Sequence, residues 1–282
     1  MVDHAARVAG VRSWLYTPGT QPDRFDRAAD ARADGLIIDL EDAVLARDKD
    51  RARANAVAHL SDRARHSALR AVRINPPATR AGLRDLDALV GTGGTLDAVV
   101  IPKCESPAVV GLVASLFAEA GATPAVIALV ESAAGVAGIA ELVRAPALAA
   151  VAVGAADLAA DLGCTSGWQS LAAVRALIIL HASAARIPVV DSPFFDLADT
   201  RGLRAEATAA AALGFRGKAA IHPDQIAAIN RAFTPSSEEV AWAHAVLAAA
   251  VDGVGLVDGV MVDEAVARRA RQVLDAVART ES

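Results

Sequence analysis

The sequence contains few cysteines and has no excess of positive charge. Only two cysteines, Cys104 and Cys164, occur among 282 residues, so we expect no disulfide framework and a reducing, cytoplasmic location. No Cys or His pattern surrounds Cys104, which indicates a packing role. The formal net charge of −5 gives no reason to expect nucleic acid or an anionic membrane as a partner.

Long apolar runs and zinc-type ligand clusters are also missing. Residues 1–14 lack the apolar stretch of a signal peptide. The longest uncharged apolar run, Ala145 to Ala156, is too short to span a bilayer and ends at Asp157. No histidine and cysteine spacing is of the zinc-binding kind. We therefore expect a protein without a membrane segment or a closed zinc site.

What the sequence has instead is a series of short, β-rich apolar runs, each followed by a longer amphipathic segment. This alternation predicts parallel β-α-β units, and near-continuous apolar strands indicate burial on both faces. Eight such units close into a (β/α)8 TIM barrel, an α/β fold that fits a chain of this length. The predicted strands are 13–17, 35–40, 69–75, 97–103, 125–131, 149–157, 187–191 and 218–223.

The end of the sequence follows a different pattern from the barrel. We predict that residues 1–233 form the catalytic barrel and that residues 234–282 form a C-terminal helical lid and oligomerisation segment. Ser236 or Ser237 is the expected N-cap of its first helix, and a glycine-rich turn precedes the second. A lone barrel would not cover the apolar face of the first helix, so we expect a neighbouring subunit to bury Val240, Trp242, Val246 and Leu247.

Polar residues recur where the predicted strands end. The carboxyl ends of barrel strands converge on one rim, where barrel enzymes carry their active sites. Loops are polar in any case, but this explains poorly why strongly apolar strands end in Glu131 and Asp157. The set comprises Glu41, Asp42, Arg73, Asn75, Lys103, Glu131, Asp157, Asp191 and His222.

Glu131 and Asp157 are the candidate metal ligands. Two carboxylates on neighbouring strand ends suit a hard cation that keeps several waters and takes its other ligands from substrate oxygens. The same pair also fits helix capping or salt bridging, so the pattern alone leaves both interpretations open.

Arg73, in AVRINPP, is the candidate substrate cation. Its guanidinium can hold a carboxylate through two hydrogen bonds and stabilise an oxyanion. The alternative is an ion pair with Glu41 or Asp42 across the rim, and both roles can coexist.

The segment GFRGKAAIHP leads into the last strand. Barrel enzymes often bind phosphate near the loops after strands seven and eight, so Arg216 and Lys218 are candidates for a CoA phosphate; a solvated loop is the alternative. His222 is either a base or cofactor ligand, or a hydrogen-bonded structural histidine.

These motifs together resemble the citrate lyase beta-subunit-like (CitE-like) family of the HpcH/HpaI aldolase superfamily. The resemblance covers nearly the whole chain in order, and GAADLAADLG is particularly similar to malyl-CoA lyases. The motifs that carry it are RSWLYTPGTQPDRF, LIIDLEDAVLARDKDRAR, AVRINPP, VVIPKCES, ALVESAAGV, VGAADLAADLG, GFRGKAAIHPDQI, FTPSSEEVAWA and GVMVDEAVARRA.

The resemblance implies a barrel enzyme with Mg²⁺, or Mn²⁺ in its place, on Glu131 and Asp157, and with Arg73 at the substrate. It implies that Glu41 and Asp42 support the metal waters and the arginine. It also implies that Asp263 belongs to a lid that reaches a neighbouring subunit's site as the acid/base, in a homotrimer or a dimer of trimers. Without the resemblance, Asp263 is simply a residue at a helix N-terminus.

Two positions depart from the family pattern. Gln21 stands where many members have Arg or Asn, and in malyl-CoA lyases that arginine helps to hold the substrate. Val260 stands where many members have Lys, next to the lid. The absence of the arginine at position 21 puts a malate-derived substrate in doubt, and Val260 is expected to alter contacts around the lid.

The expected activity is a reversible Claisen-type cleavage of a short 3-hydroxyacyl-CoA, such as malyl-CoA or citramalyl-CoA, into a 2-oxo acid and an acyl-CoA. One alternative is a citrate lyase beta subunit that acts on an acyl-carrier-protein thioester. Another is an aldolase for free pyruvate or oxaloacetate, and a third is a regulatory binding protein without catalysis. The joint presence of Glu131, Asp157, Arg73 and Asp263 argues against the last.

Overall fold

The structure is a computed structural model that describes residues 3–62, 68–92, 94–250, 255–257 and 259–281. The chain divides into two compact units, residues 1–230 and residues 231–282.

The first unit is a closed barrel of eight parallel strands in sequence order. The predicted TIM barrel is thereby confirmed, and each predicted run overlaps one strand of the barrel. β1 closes the barrel by pairing with both β2 and β8. The strands are β1 (Ser13–Pro18), β2 (Gly35–Asp39), β3 (Leu69–Arg73), β4 (Ala98–Ile101), β5 (Ala125–Val130), β6 (Leu148–Val153), β7 (Val189–Asp191) and β8 (Gly217–Ala220).

The strands form because their apolar side chains are buried on both faces of the sheet. Every residue of β2, β4 and β5 is buried, as parallel strands between a barrel interior and a helical layer require. The interior cluster combines one large side chain, Trp14, with small ones such as Ala71, Ala98 and Ala150.

Helices surround the barrel and close one end of it. The first helix packs against β5 and β6, and its Val8 joins the interior cluster. Arg7 in that helix donates a 2.7 Å hydrogen bond to Asp97, which immediately precedes β4, so the helix covers the amino end. The helices are α1 (His4–Ala9), α2 (Arg27–Asp30), α3 (Lys49–Ser61), α4 (Arg80–Val90), α5 (Pro107–Glu119), α6 (Ala133–Ala137), α7 (Ile139–Leu142), α8 (Ala155–Leu162), α9 (Trp168–Ala185), α10 (Thr200–Leu213) and α11 (Ile226–Ala232).

Helix α9 is long and apolar enough, by length and composition, to cross a bilayer. Its Arg175 is buried, however, and donates a 2.9 Å hydrogen bond from Nε to Asp191 at the end of β7. The face that carries Leu171, Ile178 and Ala182 is buried as well. These contacts make α9 a helix of the layer around the barrel.

The second unit is a helical pair with a short hairpin. Ser236 caps the first helix in a capping box with Glu239, which confirms one of the two predicted N-caps. Residues 252–254 and 258 of the predicted glycine-rich turn lie outside the described residues, and residues 255–257 form one strand of a two-stranded antiparallel hairpin. The elements are α12 (Ser237–Ala249), β9 (Gly255–Val257), β10 (Val260–Val262) and α13 (Glu264–Glu281).

The apolar face of α12 lies largely within this unit. Val246 is fully buried in a cluster with Ala243 and Val262, and Trp242 and Leu247 pack against that cluster. The expectation that a neighbouring subunit buries Val246 is therefore wrong, whereas burial of the half-buried Val240, Trp242 and Leu247 by a neighbour stays a prediction. Among the described residues of this unit, the large exposed apolar side chains lie on the hairpin: Leu256, Val260 and Met261.

Candidate active site

A cavity of about 290 Å³ opens at the carboxyl ends of the barrel strands. Its inner wall is apolar and comes from strand interiors such as Ile37, Val100 and Ile127. Its outer wall is polar, so the cavity joins an apolar floor to a charged rim. The charged residues that line it are Asp39, Asp42, Arg73, Glu131, Asp157 and Asp191.

Arg73 ends β3 and is fixed by carboxylates from the neighbouring strand. Its Nε and Nη2 each donate a 2.7 Å hydrogen bond to Asp39, its register partner at the end of β2. Its Nη1 lies 3.2 Å from Glu41 Oε2. Burial disfavours the charge, but the hydrogen bonds to Asp39 hold the pKa of Arg73 above its ordinary value. The arginine is therefore a permanently charged, rigidly oriented group in the cavity wall.

The predicted alternative of a rim ion pair is confirmed in part. Glu41 is the expected partner of Arg73, whereas exposed Asp42 lies 3.7 Å from Lys103 instead. Glu41 is buried and also accepts a 2.5 Å hydrogen bond from Lys103 Nζ. Burial raises the pKa of Glu41 above its usual value, against the opposing effect of Lys103. The sequence pattern missed the principal partner, Asp39.

Glu131 follows β5 directly and is nearly fully buried at 4% exposure. Its Oε1 accepts a 2.8 Å hydrogen bond from the Lys103 backbone N–H, and Lys103 has a left-handed φ of 49°. A Cβ added to Gly154 would lie 2.5 Å from the Glu131 Cβ, so only glycine lets β6 end this close to the carboxylate. Burial raises the pKa of Glu131 to about 8, and the charges of Glu41 and Asp157 act in the same direction.

Asp157 is not at the end of a strand, as the sequence pattern predicted. β6 ends at Val153, and Asp157 lies in the first turn of α8, where it is exposed. It nonetheless lines the same cavity as Glu131 and interacts with it electrostatically. A helix start that follows the strand within two residues brings the carboxylate to the same rim.

The two carboxylates suit a hard divalent cation. Glu131 uses one oxygen for the Lys103 N–H, and Asp157 is open to solvent, so oxygen donors from both can face one ion. Across the described ranges, no group of three or more His, Cys, Asp or Glu residues is placed to hold a metal. Such a site fits Mg²⁺, which retains waters and takes substrate oxygens as ligands, and does not fit a closed zinc centre.

The candidates for a CoA phosphate fit less well. Lys218 is fully buried within β8, and its Nζ donates 2.6 Å hydrogen bonds to Asp191 and Glu206. Arg216 precedes β8 and lies at the amino end of the barrel, away from the cavity. These positions do not suit the predicted contact of Arg216 and Lys218 with a CoA phosphate. The sequence alone does not show which end of β8 the two residues occupy.

His222 is placed at the correct end of β8. Its Nδ1 accepts a hydrogen bond from the Asp224 N–H at 3.3 Å and caps a short turn, and the side chain is half-exposed. The neighbouring Ile221 lines the cavity. The structural role that the sequence left open is thus present, and a ligand-binding role for His222 stays a prediction.

Asp263 follows β10 in the second unit and caps α13. Its Oδ1 accepts a 3.0 Å hydrogen bond from the Val266 N–H. The simpler sequence interpretation, a residue at a helix N-terminus, is therefore present in the structure. Its acid/base role stays a prediction.

Comparison with known proteins places the chain among lyases. Residues 12–223 match the model of the HpcH/HpaI aldolase/citrate lyase family. A citrate lyase subunit beta-like protein of Mycobacterium tuberculosis is 40% identical over 95% of this chain and 96% of its own length. An L-malyl-CoA/beta-methylmalyl-CoA lyase of Cereibacter sphaeroides is 37% identical over 84% of this chain and 83% of its own length.

A solved structure is similar over nearly the same span. CitE of M. tuberculosis, in complex with magnesium, acetoacetate and coenzyme A, superposes with a TM-score of 0.81 at 37% identity. The match covers 95% of this chain and 98% of that one. The likeness therefore includes both compact units.

Proposed function

Since the chain belongs to the HpcH/HpaI aldolase/citrate lyase family, we propose that it is a Mg²⁺-dependent carbon–carbon lyase for a short 3-hydroxyacyl-CoA. The products are a 2-oxo acid and an acyl-CoA, and the reverse reaction is a Claisen-type condensation. The observation that carries the proposal is one cavity in which Arg73, fixed by Asp39 and Glu41, faces Glu131 and Asp157. The complex of CitE with magnesium, acetoacetate and coenzyme A supports the ligand classes.

Each side chain has a distinct task in this reaction. Glu131 and Asp157 would hold Mg²⁺, which when bound polarises the hydroxyl and carboxylate oxygens of the substrate. Arg73 places a fixed positive charge where the oxo acid develops negative charge, with no reorganisation during the reaction. Asp39 and Glu41 keep its guanidinium in that position.

Cleavage breaks the bond between the hydroxyl-bearing carbon and the α carbon of the thioester. The hydroxyl loses its proton to solvent and its carbon becomes the carbonyl of the oxo acid, while the electron pair of the broken bond passes to the thioester as an enolate. The α carbon then needs a proton, which we assign to Asp263 as general acid. In the condensation direction the same carboxylate removes the α proton.

We expect turnover of at least one of malyl-CoA, citramalyl-CoA and β-methylmalyl-CoA with Mg²⁺, and none with EDTA. Release of the 2-oxo acid, measured by its coupled reduction, is the assay. Parallel reactions with acyl-carrier-protein thioesters and with free oxo acids test the two alternative functions, a citrate lyase beta subunit and a CoA-independent aldolase. The CoA-lyase proposal would be refuted if activity on free oxo acids equalled that on acyl-CoA substrates, or if EDTA had no effect on turnover.

We also propose that the chain is a homo-oligomer, a trimer or a hexamer. The exposed Leu256, Val260 and Met261 form an apolar hairpin surface that association would remove from water. Light scattering of the purified protein is expected to give a mass three or six times that of the chain. Val260→Ser with Met261→Ser should weaken association, whereas Leu112→Ser, at an exposed leucine of α5, should not. A monomer with full activity would contradict this.

A further inference from the structure

Tyr16 lines the cavity, although neither the sequence pattern nor the mechanism above uses it. It lies on β1 two residues after Trp14, so both side chains point to the barrel interior. Its ring is 5.0 Å from the Arg73 Cζ, in a cation–π arrangement. It lines the same cavity as Arg73, Glu131 and Asp157.

Among the described residues, no hydrogen bond joins the Tyr16 hydroxyl to the protein, and its oxygen is not one of the buried side-chain atoms that lack a partner. The phenol oxygen is therefore open to the cavity, while the ring is packed. A buried tyrosine hydroxyl usually finds a hydrogen-bond partner, and here the cavity is the place where a partner can sit.

A second hydrogen-bond donor beside Arg73 could stabilise negative charge on a substrate oxygen. Two N–H groups of Arg73 are committed to Asp39, and a third nitrogen lies beside Glu41. Its positive charge is thus largely compensated by acidic partners. A neutral O–H donor at the same wall adds stabilisation of a developing oxygen charge without repelling any cation. Burial raises the pKa of Tyr16 above its ordinary value, so the phenol keeps its proton.

We propose that the Tyr16 hydroxyl is a catalytic hydrogen-bond donor to the oxygen on C3 of the 3-hydroxyacyl-CoA, which becomes the carbonyl oxygen of the 2-oxo acid. The inference rests on the proposed lyase function and adds a residue to it. No covalent step involves Tyr16, since the phenol donates a hydrogen bond and retains its proton. The packed ring fixes the direction of the donor, as oxyanion stabilisation requires.

Tyr16→Phe isolates the hydroxyl, because phenylalanine keeps the ring against Arg73. The kcat of cleavage is expected to fall on the order of a hundredfold, as when one oxyanion donor is removed. The KM for the acyl-CoA and the thermal unfolding temperature are expected to stay close to the wild-type values. Tyr16→Leu removes the ring too and should lower the unfolding temperature, which separates packing from catalysis. A Tyr16→Phe kcat within twofold of wild type would overturn the proposal.

A second measurement does not depend on turnover. Tyr16 is the only tyrosine of the chain, so uniform incorporation of 3-fluorotyrosine labels this position alone. With Mg²⁺ present, adding pyruvate is expected to shift the single ¹⁹F resonance. Calorimetry should show that Tyr16→Phe binds pyruvate about tenfold more weakly than the wild type. A tenfold change corresponds to ~1.4 kcal/mol, which is the size expected for one hydrogen bond.

These outcomes distinguish the two proposals. If no acyl-CoA is cleaved but pyruvate shifts the resonance and binds Tyr16→Phe more weakly, the lyase proposal fails and the hydrogen bond stands. If cleavage occurs and neither kcat nor pyruvate affinity responds to Tyr16→Phe, the lyase proposal stands and the hydrogen bond is refuted. A wild-type protein that binds no pyruvate and cleaves no acyl-CoA would refute both.

Discussion

Replacing Glu131 by glutamine is expected to abolish Mg²⁺-dependent turnover and, in the metal-free protein, to increase the free energy of unfolding. The two effects have one cause. Glu131 is a buried carboxyl group whose charged form is unfavourable until a cation binds. Glutamine keeps an oxygen acceptor for the Lys103 N–H but carries no charge for the metal. The buried carboxylate that binds the cation therefore destabilises the metal-free protein.

The pH dependence follows from the raised pKa of Glu131. The pKa is about 8 in the folded metal-free protein and 4.5 ordinarily. Between these values the folded state holds a proton that the unfolded state does not, so stability falls as pH rises from 4.5 to 8 and then levels off. Each pH unit in this window costs about 1.4 kcal/mol. Glu131→Gln should lack this decline.

Mg²⁺ affinity has the opposite dependence on pH. Metal binding requires the carboxylate, so affinity should rise about tenfold per pH unit and level off above the pKa of Glu131. Calorimetry from pH 6 to 9 measures the affinity, and chemical denaturation with EDTA measures stability. Glu119→Gln is the matched control, since Glu119 is exposed at the end of α5. A Glu131→Gln protein that turns over normally would show that the metal assignment is wrong.

The barrel could be predicted because its determinants are local. Each strand is a short apolar run, and burial on both faces is visible as near-continuous apolar residues in β2, β4 and β5. The position of Glu131 follows in the same way, since a charged residue directly after such a run must lie on the rim. The hydrophobic pattern thus specifies both the strand and the location of its first polar neighbour.

The remaining features depend on pairing across the chain. Asp39 and Arg73 are 34 residues apart, and only the parallel register between β2 and β3 brings them together. Lys218 resembles a surface cation in the sequence, but its register partner Asp191 and the nearby Glu206 hold it inside the fold. The sequence does not single out Tyr16, because an aromatic residue in a strand ordinarily indicates packing alone.

Replacing Asp263 by asparagine is expected to lower kcat by roughly a hundred- to ten-thousandfold, the range typical of a general acid–base group. Glu131, Asp157 and Arg73 prepare the oxo-acid half of the reaction, but none of them is free to move a proton at the thioester α carbon. Asparagine preserves the cap of α13, because its side-chain oxygen can accept the hydrogen bond from Val266. The loss should therefore reflect the missing exchangeable carboxyl group, with Mg²⁺ binding unchanged.

The chain provides a matched control for this substitution. Asp199 also caps a helix, accepting a 2.8 Å hydrogen bond from the Gly202 N–H at the start of α10. Asp199→Asn therefore reports the effect of the same substitution at a helix cap that has no catalytic role.

If Asp263 completes the site of a neighbouring subunit, mixing Asp263→Asn with Glu131→Ala protein should restore part of the activity after subunit exchange. The most direct measurement is the exchange of acetyl-CoA or propionyl-CoA α protons with deuterated solvent, with Mg²⁺ and pyruvate present. The wild-type enzyme should catalyse this exchange and Asp263→Asn should not; if the variant exchanges at the wild-type rate, the base is another group, and His222 becomes the next residue to test.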